Sequence, residues 1–494
     1  KKMNILLINP PDDNLIECYA YPNGKVGIDS PDFGKFPSLG LLYILGYLEK
    51  YSPEHNLFII DCVAERITYD VLKSKILKIQ PDLVGITSFS IALIDVIKTA
   101  KIVREFFPKA HISMGGHHPM AFPEEAVQLK EFDSIIIGDG EKPFYELAKA
   151  LDNNELIDNI IGLYTKKSIL KYINNSNDKK KEDLRFLHPV SLKPAYIEDI
   201  DDLPFPARRY LSHIKFFSIV GVSKKFTTII SSRGCPFHCI MCDVPYKKYR
   251  ARSIKNIVNE IEECIQEGFK EFHFYDDMFN ITPDRIIDFS NEVISRDLDI
   301  IWDFRGRVNT VTKESLEIAK KSGLRMISFG VETGTNEGLQ YIKKDTTIEK
   351  IKEVFKICND LKIKTIADYM LGFPFEKTED DINKSIDFCI SLNPTYGMFS
   401  VLILFPNTPI YNEAVKKNLI NPSRWQNFCF NPTKDFYVDY WEEYFTRKQL
   451  LDFQKKAFNR FYLRLKYIWQ SIKNISTFND FMMKTKGFFL LIKK

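Results

Sequence analysis

Apolar runs alternate with stretches of helical periodicity through the first 150 residues. Met3 to Asn9 is almost continuously apolar and ends at Pro10-Pro11, which predicts a buried strand, and Ser38 to Tyr51 repeats its apolar positions at helical spacing. Further strands are expected at 57–61, 83–88, 112–114 and 134–137, with helices at 69–79, 93–107, 122–129 and 142–151. This βαβα order predicts an open, doubly wound parallel sheet of Rossmann-like type over residues 1–151. The pattern breaks over 152–225, where the polar run Lys166 to Asp183 reads as an exposed hairpin or loose linker and Pro204 and Pro206 hold the chain extended. Over 226–420 six strand-then-helix units follow, with strands at 227–231, 271–275, 300–304, 326–331, 365–371 and 397–404. They predict a partial (βα)6 barrel, open on one side, with its chemistry at the carboxyl ends of the strands. Residues 421–494 are expected to form a helical C-terminal region, making the chain as a whole an α/β protein.

Composition adds limits. The 494 residues are 45% hydrophobic and 27% charged, enough for two to four globular domains. No apolar stretch approaches the ~18 residues of a membrane helix. Nine cysteines in a chain of this length suit a reducing compartment, so a cytoplasmic location is expected. From Thr446 to Lys494 twelve Lys or Arg face two acids, so the net charge of +4 leaves the remainder acidic. Phe453, Phe458, Phe461, Tyr462, Tyr467, Trp469, Phe481, Phe488 and Phe489 lie in this tail at broadly helical spacing. They read either as a helical cap on the barrel or as an amphipathic surface meeting anionic lipid, a peripheral membrane contact, or a lipid-like substrate. Nucleic acid is not an expected partner.

The most specific chemistry is in Ser231-Ser232-Arg233-Gly234-Cys235-Pro236-Phe237-His238-Cys239-Ile240-Met241-Cys242, a CxxxCxxC loop just after an apolar run. A cubane iron–sulfur cluster normally takes one thiolate per iron, so three ligands leave one iron open. The alternative is a zinc knuckle with His238 as fourth ligand. Adjacent residues in so tight a loop rarely reach one metal, and zinc spacing usually pairs separated half-sites.

Other loops fall at the same strand ends. Asp276-Asp277 follows the second barrel strand, Arg305-Gly306-Arg307 the third, Gly330-Val331-Glu332-Thr333-Gly334 the fourth and Gly372-Phe373-Pro374-Phe375-Glu376 the fifth. Together they offer carboxylates for an amine, a guanidinium for a carboxylate, an acid for ribose hydroxyls and an apolar loop for adenine. In the first domain Asn9-Pro10-Pro11, Thr87-Ser88-Phe89-Ser90, Gly115-Gly116-His117-His118 and Gly138-Asp139-Gly140-Glu141 share one sheet edge. They read as a cofactor face, or as glycines that only make tight turns. Tyr275, Tyr369 and Tyr396 are further pocket candidates, or core tyrosines.

The cysteine loop, the four barrel loops and Phe405-Pro406-Asn407-Thr408-Pro409 resemble the radical S-adenosylmethionine (SAM) superfamily. The opening Met3 to Pro11, Phe36 to Leu41, Gly115 to Pro119, Gly138 to Glu141 and the interdomain stretch Asp201 to Arg209 are similar to the branch that carries a cobalamin-binding domain. The resemblance implies a [4Fe-4S] cluster on Cys235, Cys239 and Cys242 whose open iron chelates SAM. It implies SAM contacts from Asp276 or Asp277 to the amine, Arg307 to the carboxylate, Glu332 to the ribose, and Gly372 in the adenine loop. Cobalamin would lie against Asn9, Ser88, Gly115, Gly116, His117, Gly138 and Glu141. Three places depart from the pattern: Met241 stands where an aromatic is usual, Asn407 where glycine is common, and the DxHxxG signature is absent.

The implied activity is reductive cleavage of SAM and methylation of an unactivated carbon on a small-molecule or lipid-like substrate. A flavodoxin- or ferredoxin-type protein would supply low-potential electrons. An oxidative cyclase or rearrangement enzyme, resembling the anaerobic magnesium-protoporphyrin ester cyclase, is the alternative within the branch. A non-catalytic iron–sulfur or cobalamin sensor is the alternative of another class. A methylthiotransferase would carry a second three-cysteine site in its first domain, where here only Cys18 and Cys62 occur.

Overall fold

The computed structural model describes residues 2–16, 34–169, 192–218, 220–244 and 246–473. The chain divides into two units: most of residues 2–216 with 421–437, and 217–420 with 438–473. Most of the Lys166 to Asp183 stretch, and Cys18, Phe481, Phe488 and Phe489, lie outside the described residues.

The first unit is built on β1 (Asn4–Asn9), β2 (Asn56–Asp61), β3 (Leu83–Ser88), β4 (His111–Gly116), β5 (Ser134–Ile136) and β6 (Leu163–Tyr164), in the order β2-β1-β3-β4-β5-β6. The first five are parallel, joined through α1 (Leu39–Tyr51), α2 (Tyr69–Ile79) and α3 (Leu93–Phe106), with α6 (Glu141–Asn153) following β5. Ile5, Leu6, Leu7 and Ile8 of β1 are buried, as expected for a strand with a neighbour on each side and helices on both faces. This is the expected doubly wound sheet. The helix expected over 122–129 is present as α5 (Pro123–Gln128), started by Pro123, which lacks the N–H that a continuing helix needs; the short α4 (His117–Ala121) just before it was not expected. β6 is antiparallel to β5 and lies in the stretch read as linker; two residues carry too little periodicity to be seen in advance. A further piece of that stretch joins the sheet edge, where Ala195 N–H donates to the Ile137 carbonyl at 2.9 Å and the Ala195 carbonyl accepts from Asp139 N–H at 2.8 Å. Within the first unit Trp425 and Phe428 of α14 (Ser423–Phe430) are buried, with Trp425 stacked on Phe122 at 5.8 Å.

The second unit is a parallel sheet of β7 (Phe226–Ile229), β8 (Glu271–Phe274), β9 (Ile301–Gly306), β10 (Leu324–Glu332), β11 (Lys364–Leu371) and β12 (Tyr396–Val401), hydrogen-bonded in that order. β7 and β12 do not pair, so the expected six-strand barrel is open. Helices α7 (Ile254–Gln266), α8 (Pro283–Ser295), α9 (Lys313–Lys321), α11 (Ile348–Asp360) and α12 (Glu379–Leu392) alternate with the strands. Phe272, Phe274, Trp302, Phe304 and Phe329 face those helices in one buried core. Side chains alternate along a strand, so His273, Asp303, Arg305, Ser328, Glu332 and Asp368 point to the inner face. Low in the barrel, Arg325 bridges Glu271 and Asp303 at 3.2 and 3.1 Å, and His273 Nδ1 lies 2.8 Å from Asp303.

The described part of the tail is a cap on the last strand. α15 (Arg447–Tyr462) buries Ala457, Phe458 and Phe461 in the barrel core. Gln454 donates to the Phe399 carbonyl at 2.8 Å and Tyr462 to the Gly397 carbonyl at 3.0 Å, satisfying edge groups of β12. Among the described residues no helix is long and apolar enough to cross a membrane.

Candidate functional site

The cysteine loop leaves the carboxyl end of β7 and is fixed from beneath by Asp276. That carboxylate is buried and accepts Ser231 N–H at 2.7 Å, the Ser231 hydroxyl at 2.5 Å and the Ser232 hydroxyl at 2.7 Å. Arg285 reaches the Ser231 carbonyl at 3.0 Å, and Arg252, paired with buried Glu260, reaches the Ile230 carbonyl at 3.1 Å. Ser232 and Arg233 pair antiparallel with Ala251 and Arg250. Gly234 then turns with φ 84°, and a Cβ there would stand 2.4 Å from the Lys248 carbonyl, so only glycine fits. Asp277, exposed, accepts Gly234 N–H at 3.0 Å, and Cys235 N–H donates to the Tyr246 carbonyl at 3.0 Å.

Cys235, Cys239 and Cys242 are half-buried free thiols. Burial pushes the Cys235 and Cys242 thiols above their ordinary range, so binding a metal there would release protons. Among the described residues the one three-ligand grouping within 4.8 Å is Glu271, His273 and Asp303, and neither the cysteines nor His238 join it. Tetrahedral zinc with bonds of about 2.3 Å needs its sulfurs about 3.8 Å apart, which this loop does not provide. The Arg325 guanidinium already bridges the Glu271 and Asp303 carboxylates of that grouping.

Arg307 closes the other side of the loop. Its Nη1 is 3.2 Å from Cys239 Sγ, its Nε 3.2 Å from the Asn309 side-chain oxygen, and its guanidinium lies over the Phe237 ring at 4.0 Å. Arg307 Nη2 is buried with no hydrogen-bond partner among the described residues and only a distant carboxylate, Asp345 at 3.9 Å. An orphaned buried donor beside three thiols fits an anionic cofactor at this place. Glu332 takes φ 71°, uncommon for a residue with a side chain, where the β10–β11 ladder shifts register. Its carboxylate accepts Lys344 Nζ at 2.8 Å. Lys344 carried no sequence signal, since nothing in the chain order links a buried lysine to an acid twelve residues earlier. Gly372 has φ 88°, its N–H donates to Glu376 at 2.7 Å, and a Cβ would stand 2.7 Å from Leu450. Glu376 also accepts Phe373 N–H at 3.0 Å; burial raises its pKa to about 7. Tyr369 is buried core, Tyr396 is half-buried, and Tyr275 faces the inner side, exposed.

In the first unit the seven expected cobalamin positions separate. Asn9 donates to Asp61 at 2.8 Å, Ser88 to the Gly115 carbonyl at 2.7 Å, and Glu141 is buried. Gly138, φ 106°, is required by its own chain, since a Cβ would stand 2.2 Å from the Ala195 carbonyl. Gly115, Gly116 and half-buried His117 remain on an accessible edge, where His117 stacks 6.3 Å from Phe89. Phe89 is 56% exposed; an aromatic in a strand-end loop was the available signal for it. His118 is fully buried, 3.0 Å from the Ser90 hydroxyl, and burial holds it neutral with a pKa near 3. A flat, partly exposed ring pair beside accessible backbone suits a planar cofactor.

Residues 229–389 match the Radical SAM superfamily and residues 32–148 the B12 binding domain. The chain thus joins a radical SAM domain to a B12-binding domain, and its cofactors are a [4Fe-4S] cluster, SAM and cobalamin. It is 29% identical to an uncharacterized methyltransferase of Pyrococcus horikoshii over 98% of this chain and 97% of that protein. It is 25% identical to the anaerobic magnesium-protoporphyrin IX monomethyl ester cyclase of Rubrivivax gelatinosus, over 91% and 78%. In fold it is similar to the cobalamin-dependent SAM radical enzyme OxsB, solved with aqua-cobalamin and SAM bound, at TM-score 0.71 and 16% identity over 99% of this chain and 71% of that one.

Proposed function

We propose that this protein methylates an unactivated carbon of a small-molecule substrate. The supporting observation is the pairing, in one chain, of a three-thiol loop at a barrel mouth with a B12-binding domain, over a length that also matches a methyltransferase almost end to end. When bound, the reduced cluster supplies the electron that cleaves SAM, and cobalamin carries the methyl group. In this reading Cys235, Cys239 and Cys242 hold the cluster, and Asp276 holds the loop that carries them. Arg307 Nη2 takes the SAM carboxylate, Asp277 the amine, and Glu332 the ribose, with Lys344 fixing the glutamate. The loop from Gly372 to Glu376 covers adenine, with half-buried Phe375 as its apolar surface and buried Phe373 stacked 5.2 Å behind it. On the first unit, the edge at Gly115, Gly116 and His117, with Phe89, faces cobalamin; Asn9, Ser88, Gly138 and Glu141 support that edge.

The test is anaerobic reconstitution with cobalamin, SAM carrying a deuterated methyl group, and a low-potential reductant such as a flavodoxin system, followed by mass spectrometry. Methylation is supported by S-adenosylhomocysteine together with 5′-deoxyadenosine and a labelled product. The likeness to the cyclase favours a second reading, oxidative cyclisation. Deoxyadenosine without S-adenosylhomocysteine selects it and rejects methylation.

A further inference from the structure

Arg305 is the third barrel loop's other arginine, and none of the roles above uses it. It sits on β9 two residues before Arg307, so it lies about 7 Å deeper along the strand. Phe304 beside it faces the helices, which turns Arg305 to the inner face of the barrel. There it is exposed, and among the described residues it makes no hydrogen bond and no ion pair; its guanidinium lies over the Tyr275 ring at 5.2 Å.

The cations around it each have a carboxylate nearby. Lys344 is neutralised by Glu332 at 2.8 Å, and Arg307 is flanked by Cys239 and Asp345. Arg325 is bound by Glu271 and Asp303. Ser328 stands opposite Arg305 in the β9–β10 register, and its hydroxyl is held 2.6 Å from Asp368 on β11. Asp368 is close enough to feel the Arg305 charge, yet no oxygen of it comes within ion-pair distance among the described residues, and its burial favours the neutral acid. One guanidinium with five donors is thus left uncompensated on the wall of the chamber, steadied by an aromatic face.

We infer that Arg305 and Tyr275 form a recognition subsite for an acidic group of the substrate, a carboxylate or a phosphate, gripped bidentately by the guanidinium. This rests on the proposed reading of the barrel as the reaction chamber and narrows its substrate class to organic acids or phosphate esters. The Ser328 and Asp368 pair beside it offers a hydroxyl and a carboxyl to a neighbouring polar group of the same molecule.

The subsite can be tested on the anaerobically reconstituted full-length protein without turnover. Phenylglyoxal modifies accessible arginines, and peptide mass spectrometry follows the rate at Arg305. Phenyl phosphate at about four times its Kd is expected to slow that rate about fivefold. Its neutral twin, phenol, and SAM alone leave the rate unchanged. Protection by SAM alone would overturn the inference, because the group held would be the methionyl carboxylate. Equal rates with and without phenyl phosphate and benzoate would overturn it as well. Because labelling reads Arg305 itself, a sample that fails to cleave SAM speaks against the proposed activity and not against this subsite.

Discussion

Replacing Asp276 with alanine removes the acceptor for three donors that shape the cysteine loop. Ser231 N–H has no other acceptor among the described residues, while the Ser232 hydroxyl can turn fully to the Met278 carbonyl, 3.1 Å away, and the Ser231 hydroxyl keeps its contact with Arg285 at 3.1 Å. An orphaned buried donor costs about 1–3 kcal/mol, and the hydroxyl bonds to a carboxylate add a similar amount. Relief of the buried carboxylate offsets part of this, since burial already raises the Asp276 pKa. The net loss is about 3 kcal/mol, which at about 2–4 °C per kcal/mol lowers the second unit's melting temperature by roughly 6–12 °C. Asp276→Asn keeps an acceptor for Ser231 N–H and lets both hydroxyls turn to accept, so about 1 kcal/mol is expected. The assay is anaerobic thermal unfolding by circular dichroism, with iron and sulfide counted per chain after reconstitution. Alanine should lower both readouts and asparagine should largely restore them. If alanine kept the melting temperature and iron content while abolishing SAM binding, Asp276 would be a ligand contact and its role in shaping the loop would be wrong.

Glu376 sets a pH dependence. Its folded pKa, near 7, is raised above the unfolded value, so the folded state holds the extra proton between about pH 4.5 and 7. Stability from this group is therefore present at low pH and falls as pH rises through that window, by on the order of 3 kcal/mol. Glu376→Gln should flatten the slope of melting temperature against pH relative to wild type; parallel curves would contradict it. Lys344→Met should weaken SAM binding about tenfold, about 1.4 kcal/mol, measured by equilibrium dialysis with radiolabelled SAM, and Lys344→Arg should recover most of it. An unchanged Kd in the methionine variant would remove Lys344 from the site. Gly138→Ala should destabilise the first unit by about 1–3 kcal/mol, through its positive φ and the clash with the Ala195 backbone, without lowering iron content; an unshifted melting curve would show that the Ala195 approach relaxes freely.

The parts legible in the chain were those with local signatures. Strand and helix order follows from periodicity, and the cysteine loop follows from three thiols in so short a span with no fourth. What was hidden depends on neighbours distant in sequence. Asp276 and Asp277 are indistinguishable as letters, yet pleating turns one under the loop at 5% exposure and leaves the other outside. Gly138 reads as a cofactor glycine until Ala195, 57 residues later, is seen against it. Lys344 looks like one more surface lysine until Glu332 is found beside it. The short helix at His117–Ala121 was hidden for a different reason, since five residues ahead of Pro123 are too few to show helical periodicity.

The central claim is that Cys235, Cys239 and Cys242 hold a cluster with one iron open to SAM. Electron paramagnetic resonance of the reduced, reconstituted protein tests it most directly, before and after SAM carrying nitrogen-15 in its amine is added. The expected result is a [4Fe-4S] signal whose g-values shift on SAM addition and whose hyperfine spectrum shows the labelled nitrogen, both absent in Cys239→Ala. A signal indifferent to SAM, with no labelled-nitrogen coupling, would contradict the claim.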